Sequence, residues 1–209
     1  MKKILALFAL LALALTACGA QAAPAMYVQP AQLTEKEEAV AKLLGADTDQ
    51  FLLDVVLDNT VRSVRFCYYE LTDDGEWHTF SGGRMALDGS ETRGRMAFTY
   101  GDLSKGTRAA VQFGDNFSAS SRTPPPEEEP EERMGGGSIR LSEREKIVYD
   151  QEMPLVVQVV TSTNETSLYD LDYFFQPEVS VDRGYEHVYA LTVTFSQDSL
   201  GETDANQAP

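Results

Sequence analysis

Phe51-Leu52-Leu53-Asp54-Val55-Val56-Leu57, followed by Val61-Arg62-Ser63-Val64-Arg65-Phe66-Cys67-Tyr68-Tyr69-Glu70-Leu71, decides the fold class of this chain. In the first run Phe51, Leu53, Val55 and Leu57 recur with period two and share a face, while Asp54 and Asp58 lie opposite. That is the pattern of a half-buried strand. The second run is apolar on both faces, as a central strand is. Asp73-Asp74-Gly75 then supplies a tight turn into Glu76–Phe80, and Gly82-Gly83 is expected to break that strand before Arg84–Leu87.

The period of two continues outward. Met96, Phe98 and Tyr100 alternate with Arg95, Ala97 and Thr99; Ala109, Val111 and Phe113 alternate with Arg108, Ala110 and Gln112. Further strand signals fall at Ile139–Leu141, Lys146–Tyr149, Leu155–Thr161 and His187–Phe195, with a single helical turn expected within Ser167–Phe175. Short strands at this spacing, parted by Gly, Asp and Ser turns, predict an all-β chain folded as an antiparallel β-sandwich.

Two segments depart from that pattern. Thr34-x-x-Glu37 is a capping box, Val40, Leu43 and Leu44 make an apolar stripe, and Gly45 ends it; a short helix is expected over 35–44, packed on the edge of the domain. Residues 114–138 contain Thr123-Pro-Pro-Pro-Glu-Glu-Glu-Pro-Glu-Glu-Arg-Met-Gly-Gly-Gly, which has no apolar period. It reads as an acidic, polyproline-like piece and a glycine hinge, either a long loop in one sandwich or a linker between two small β units. The single sandwich is favoured, because about four strands after the linker would be marginal alone.

The amino terminus carries a different signal. Met1-Lys2-Lys3, the apolar run Ile4–Leu15 and the ending Leu15-Thr16-Ala17-Cys18 resemble the signal peptide and lipobox of bacterial lipoproteins. The resemblance implies cleavage before Cys18, acylation of that cysteine and residence on the extracytoplasmic face of a membrane. Palmitate on Cys18 would hold the chain there, at roughly 0.8 kcal/mol per buried methylene. The implied organisation is 1–17 signal peptide, 18–33 lipidated tether, 34–196 sandwich domain and 197–209 polar tail. The span from Phe51-Leu-Leu-Asp to Cys67-Tyr-Tyr-Glu-Leu-Thr-Asp-Asp-Gly-Glu-Trp is similar to small, uncharacterised lipoproteins of Gram-positive anaerobes, a likeness that implies no activity.

Composition narrows the function classes. The formal charge of -16 becomes -18 once Lys2 and Lys3 leave with the signal, and such a body repels nucleic acid. If Cys18 takes lipid, Cys67 has no partner for an intrachain disulfide; its apolar setting suggests a small buried hydrophobe.

Catalytic patterns are not visible: there is no Gly-x-Ser-x-Gly elbow, and Gly135-Gly-Gly-Ser lacks the lysine of a phosphate loop. Glu76/His78 and Glu186/His187 could ligate zinc together only if their strands were neighbours. Asp170-Leu-Asp172 and Asp73-Asp74-Gly75 lack the remainder of a calcium loop, so no metal or cofactor is expected.

Aromatic residues offer the more useful hint. If Tyr69 and Trp77 lie together on an outer sheet face they form a platform for a sugar ring or a protein partner; otherwise Trp77 fills the core. The sequence thus points to a lipid-anchored protein with a non-catalytic binding or accessory role, its partner an envelope protein or a glycan. An envelope hydrolase and a transporter's solute-binding subunit are the alternatives.

Overall fold

Strand β3, Ser63–Leu71, organises the molecule because its two faces belong to two different cores. In the computed structural model Val64, Phe66 and Tyr68 point inward to the main core, while Tyr69 and Leu71 point outward to a second one. The structure describes residues 26–43, 50–99, 103, 108–117, 121–122, 135–162, 166–167 and 170–200. The expected signal peptide 1–17, Cys18, most of the acidic stretch and the end of the tail lie outside the described residues.

The elements in order are β1 (Tyr27–Pro30), α1 (Glu35–Leu43), β2 (Gln50–Val56), β3, β4 (Trp77–Ala86), β5 (Arg93–Thr99), β6 (Arg108–Phe113), β7 (Asn116–Phe117) and β8 (Ser121–Arg122). There follow β9 (Gly135–Arg140), β10 (Glu145–Lys146), β11 (Met153–Thr161), a 3-10 helix (Leu171–Phe175), α2 (Pro177–Asp182) and β12 (His187–Ser196).

Two antiparallel sheets face each other as a sandwich. The first runs β10-β1-β2-β5-β6-β7, with β8 also on β6; the second runs β4-β3-β12-β11-β9. Both contain strands from before and after the acidic stretch, so the strands form one sandwich rather than two units. Between them Phe51, Leu53, Val55, Met96, Phe98 and Phe113 meet Phe66, Tyr68, Val156, Leu191 and Phe195.

The sheets differ on their outer faces. On the first, polar residues alternate outward: Arg95 Nε donates to Asp54 Oδ1 at 2.9 Å. On the second, Val157, Val159, Val188 and Ala190 are buried although they point away from the main core. Water cannot be the neighbour of such a face, because each aliphatic side chain left exposed forfeits roughly 1.5–3 kcal/mol. Leu171, Phe174 and Tyr185, from between β11 and β12, cover it.

Several expectations need correction, among them the strand expected over Lys146–Tyr149, where only Glu145–Lys146 is a strand. Gly82-Gly83 does not break a strand: β4 runs through both. A Cβ on Gly82 would meet the Phe66 carbonyl oxygen at 2.7 Å and one on Gly83 would meet the Phe66 ring at 2.2 Å, so glycine here permits close approach within a strand. The glycines at 135–137 begin β9, paired with Val159–Thr161, instead of forming a hinge. Tyr27–Pro30, expected within the tether, is a strand between β10 and β2. Its Val28 is fully buried, so the folded body begins before residue 34.

Finally, helix α1 forms as its capping box requires, with Thr34 and Glu37 bonding reciprocally. The described part of its apolar stripe does not pack, however. Val40 is 55% and Leu43 86% exposed, and the helix buries no residue. Arg95, 3.2 Å from Glu37, ties it to the sheet.

Candidate functional site

The covering of the second sheet is built from a 3-10 turn. Asp170 caps it by accepting from the Asp172 backbone N–H at 3.2 Å. In a 3-10 helix residues three apart eclipse one another, so Leu171 and Phe174 share one side while Asp172 and Phe175 share another. Leu171 and Phe174 pack on the sheet; Phe175 is turned out and is 52% exposed. Pro177 then starts α2, where the missing N–H costs nothing.

Tyr69 and Trp77 are brought together on this outer face, their ring centroids 6.3 Å apart in an edge contact. They do not form an open platform, and Trp77 does not fill the main core. Phe174 lies over both, 5.7 Å from Tyr69 and stacked on Trp77 at 5.1 Å. The Trp77 indole N–H donates to the Phe174 carbonyl at 2.8 Å, which fixes the 3-10 turn to β4. These aromatics serve a second core, and the exposed ring is Phe175.

Beside that ring a groove of about 610 Å³ opens between the 3-10 turn, the start of β11 and the β9–β10 connection. Glu143, Glu152, Asp170, Asp172, Val148 and Phe175 are among the side chains that line it. Val148 is 48% exposed, so two large apolar groups face solvent around one groove. With Glu145 the lining holds five carboxylates against two cations, Arg140 and Lys146.

Glu152 is fixed from behind. Its Oε1 accepts from the Tyr69 hydroxyl at 2.6 Å and from Thr192 Oγ1 at 2.7 Å. Burial and the Glu152 carboxylate both push the Tyr69 phenol up, so it stays protonated and donating. Held by two donors on one oxygen, the carboxylate is oriented before a ligand arrives.

Cys67 lies nearby on β3, buried and with no disulfide among the described residues. Burial pushes its thiol up, the condition of an inert rather than a nucleophilic cysteine.

The two histidines are not brought to one site. Strand β3 separates β4 from β12. Between the histidines stands Glu70, in register with His78 and 3.3 Å from His187 Nδ1. Glu186 bonds instead to the backbone N–H and hydroxyl of Ser162, which holds its carboxyl down to about 2.

His78 does gather Asp74 and Glu76, with possible ligand atoms of the three within 4.8 Å of one another. Asp74 is already engaged by Thr72 Oγ1 and the Glu76 N–H, as a turn residue before Gly75 at φ 81°. These are the duties of a β-turn.

Glu152 and Phe175 were not marked as site residues by the sequence pattern. Glu152 stands alone before Met-Pro-Leu, and only the packing of β3 and β12 reveals its partners. A signal for Phe175 did exist: two adjacent phenylalanines in one short helical turn cannot both be buried against one sheet. The chain matches no family model, no curated protein and no solved structure.

Proposed function

We propose that this protein is a lipid-anchored, extracytoplasmic binding protein of the bacterial cell envelope, without catalytic activity, that engages a partner through the groove beside Phe175. The anchoring half of the reading rests on Leu15-Thr16-Ala17-Cys18 after Lys2-Lys3 and the Ile4–Leu15 run. The binding half rests on one observation: an exposed phenyl ring and a pre-oriented carboxylate share the rim of a 610 Å³ groove. Pockets that combine apolar surface with a few fixed polar groups are where ligands are held.

The proposed anchor also lies close in sequence to the folded body. Strand β1 begins at Tyr27, so the chain from Cys18 to the core residue Met26 spans at most about 28 Å. A lipid on Cys18 would therefore hold the sandwich close to the membrane surface.

Expression of the full chain and of Cys18→Ala in a bacterial host tests the anchor. The parent chain should incorporate labelled palmitate, fractionate with membranes and be digested by protease added to cells whose outer barrier is permeable. Cys18→Ala should be unlabelled and released. Equal membrane retention of both chains overturns the anchoring reading.

A further inference from the structure

We infer that the ligand of this groove is an extended, positively charged segment of a partner protein, carrying lysine or arginine next to an apolar side chain. The inference rests on the binding reading above and names the chemistry of its partner.

Charge is the first reason. Five carboxylates and two cations leave the groove strongly acidic, and no ion pair among the described residues neutralises Glu143, Glu145, Asp170 or Asp172. A neutral sugar does not need that excess, and an anionic polymer is repelled by it. A cationic side chain relieves it, and its neighbouring apolar group finds Phe175 and Val148.

Backbone is the second reason, and it is independent of charge. Strand β9 stands at the end of its sheet, with β11 as its one partner among the described residues. Three of its six residues are Gly135, Gly136 and Gly137. Gly136 answers to β11, where a Cβ would meet the Val159 carbonyl oxygen at 3.0 Å, while the other edge of β9 has no strand paired to it among the described residues. The strand ends at Arg140, and Ile139, Arg140 and Leu141 line the groove, so a peptide added along β9 runs directly into it. Ladder bonds to β9 would supply affinity and the groove would choose side chains, the division of labour in strand addition.

The test uses the full chain in detergent micelles and three probes: acetyl-Lys-Leu-Lys-Leu-Lys-amide, its Glu-for-Lys counterpart and a neutral N-acetylglucosamine tetramer. Binding is read by calorimetry and by the emission of Trp77, the chain's single tryptophan, stacked on Phe174 beside the groove. The basic peptide should bind and the other probes should not. Phe175→Ala and the double variant Asp170→Asn/Asp172→Asn should each weaken it at least tenfold; asparagine still caps the 3-10 turn, so folding is spared. Glu35→Gln/Asp73→Asn, matched in charge but remote, should change it less than twofold.

Equal weakening by the remote pair would mean bulk attraction to an acidic protein and overturns the inference. So does the absence of peptide binding. Oligosaccharide binding lost in Phe175→Ala would overturn the cationic class while leaving the groove as a binding site; no binding by any probe, together with an inert groove in cells, would remove both.

Discussion

Glu152 draws the residue-scale account together, since one carboxylate oxygen takes bonds from strands β3 and β12 at once. Tyr69→Phe removes one of the two and should lower stability by about 1–1.5 kcal/mol, read as a smaller urea midpoint at unchanged slope. An unchanged midpoint would mean that the bond does not hold the carboxylate. Cys67 should react with Ellman's reagent only as fast as the protein opens, and at once in urea, because its buried thiol resists ionisation.

Acid acts elsewhere. Hydrogen bonds from Ser162 hold Glu186 at about 2, and the backbone N–H and hydroxyl of Thr34 do the same for Glu37. Both lie below their unfolded values near 4.5, so what these bonds contribute is complete above that pH. It is lost as pH falls from about 4.5 toward 2. Carboxyl carbon titration by NMR should give midpoints near 2 for both, and Glu186→Gln should flatten the stability curve in that window; ordinary midpoints would contradict the assigned bonds.

At the scale of elements, the two helical segments make opposite forecasts. Phe174 closes the second core, so Phe174→Ala should cost about 3 kcal/mol and shift Trp77 emission to the red as water reaches the indole. Helix α1 buries nothing; Thr34→Ala should fray it by about 1 kcal/mol locally while global melting stays in place. A matching drop in global melting for Thr34→Ala would mean that α1 is packed after all.

The same contrast explains what was legible in the sequence. Strands β2, β3 and β12 announced themselves because each buries at least one whole face. Strand β1 did not, since only Val28 of its four residues is fully buried, and Pro30 disguised it. That proline is tolerated because β10 pairs only with Tyr27 and Val28, leaving no neighbour to demand its N–H on that side. Gly82-Gly83 misled because the reason for glycine, the Phe66 ring and carbonyl across the ladder, lies outside its own strand. The groove was hidden for a similar cause: residues 143, 152, 172 and 175 meet only once the 3-10 turn between β11 and β12 is seated on the sheet.

For the whole molecule, one main core joins strands from both ends of the chain, and the second core is seated on the back of the same sheet. Urea unfolding followed by Trp77 emission and by far-UV circular dichroism should therefore give coincident transitions; a separate early loss of the emission signal would make the second core an independent unit. If Cys18 carries the proposed lipid, residues 19–25 would keep such a body within a few tens of ångströms of the membrane. The most direct measurement replaces Phe175 with photoreactive benzoyl-phenylalanine in the full chain expressed in a bacterial host, with the same replacement at exposed Gln112 on the opposite sheet as control. Irradiated cells should yield a discrete adduct to one partner from position 175 and none from 112. No adduct at 175, or the same adduct from both positions, would contradict a binding groove on this face.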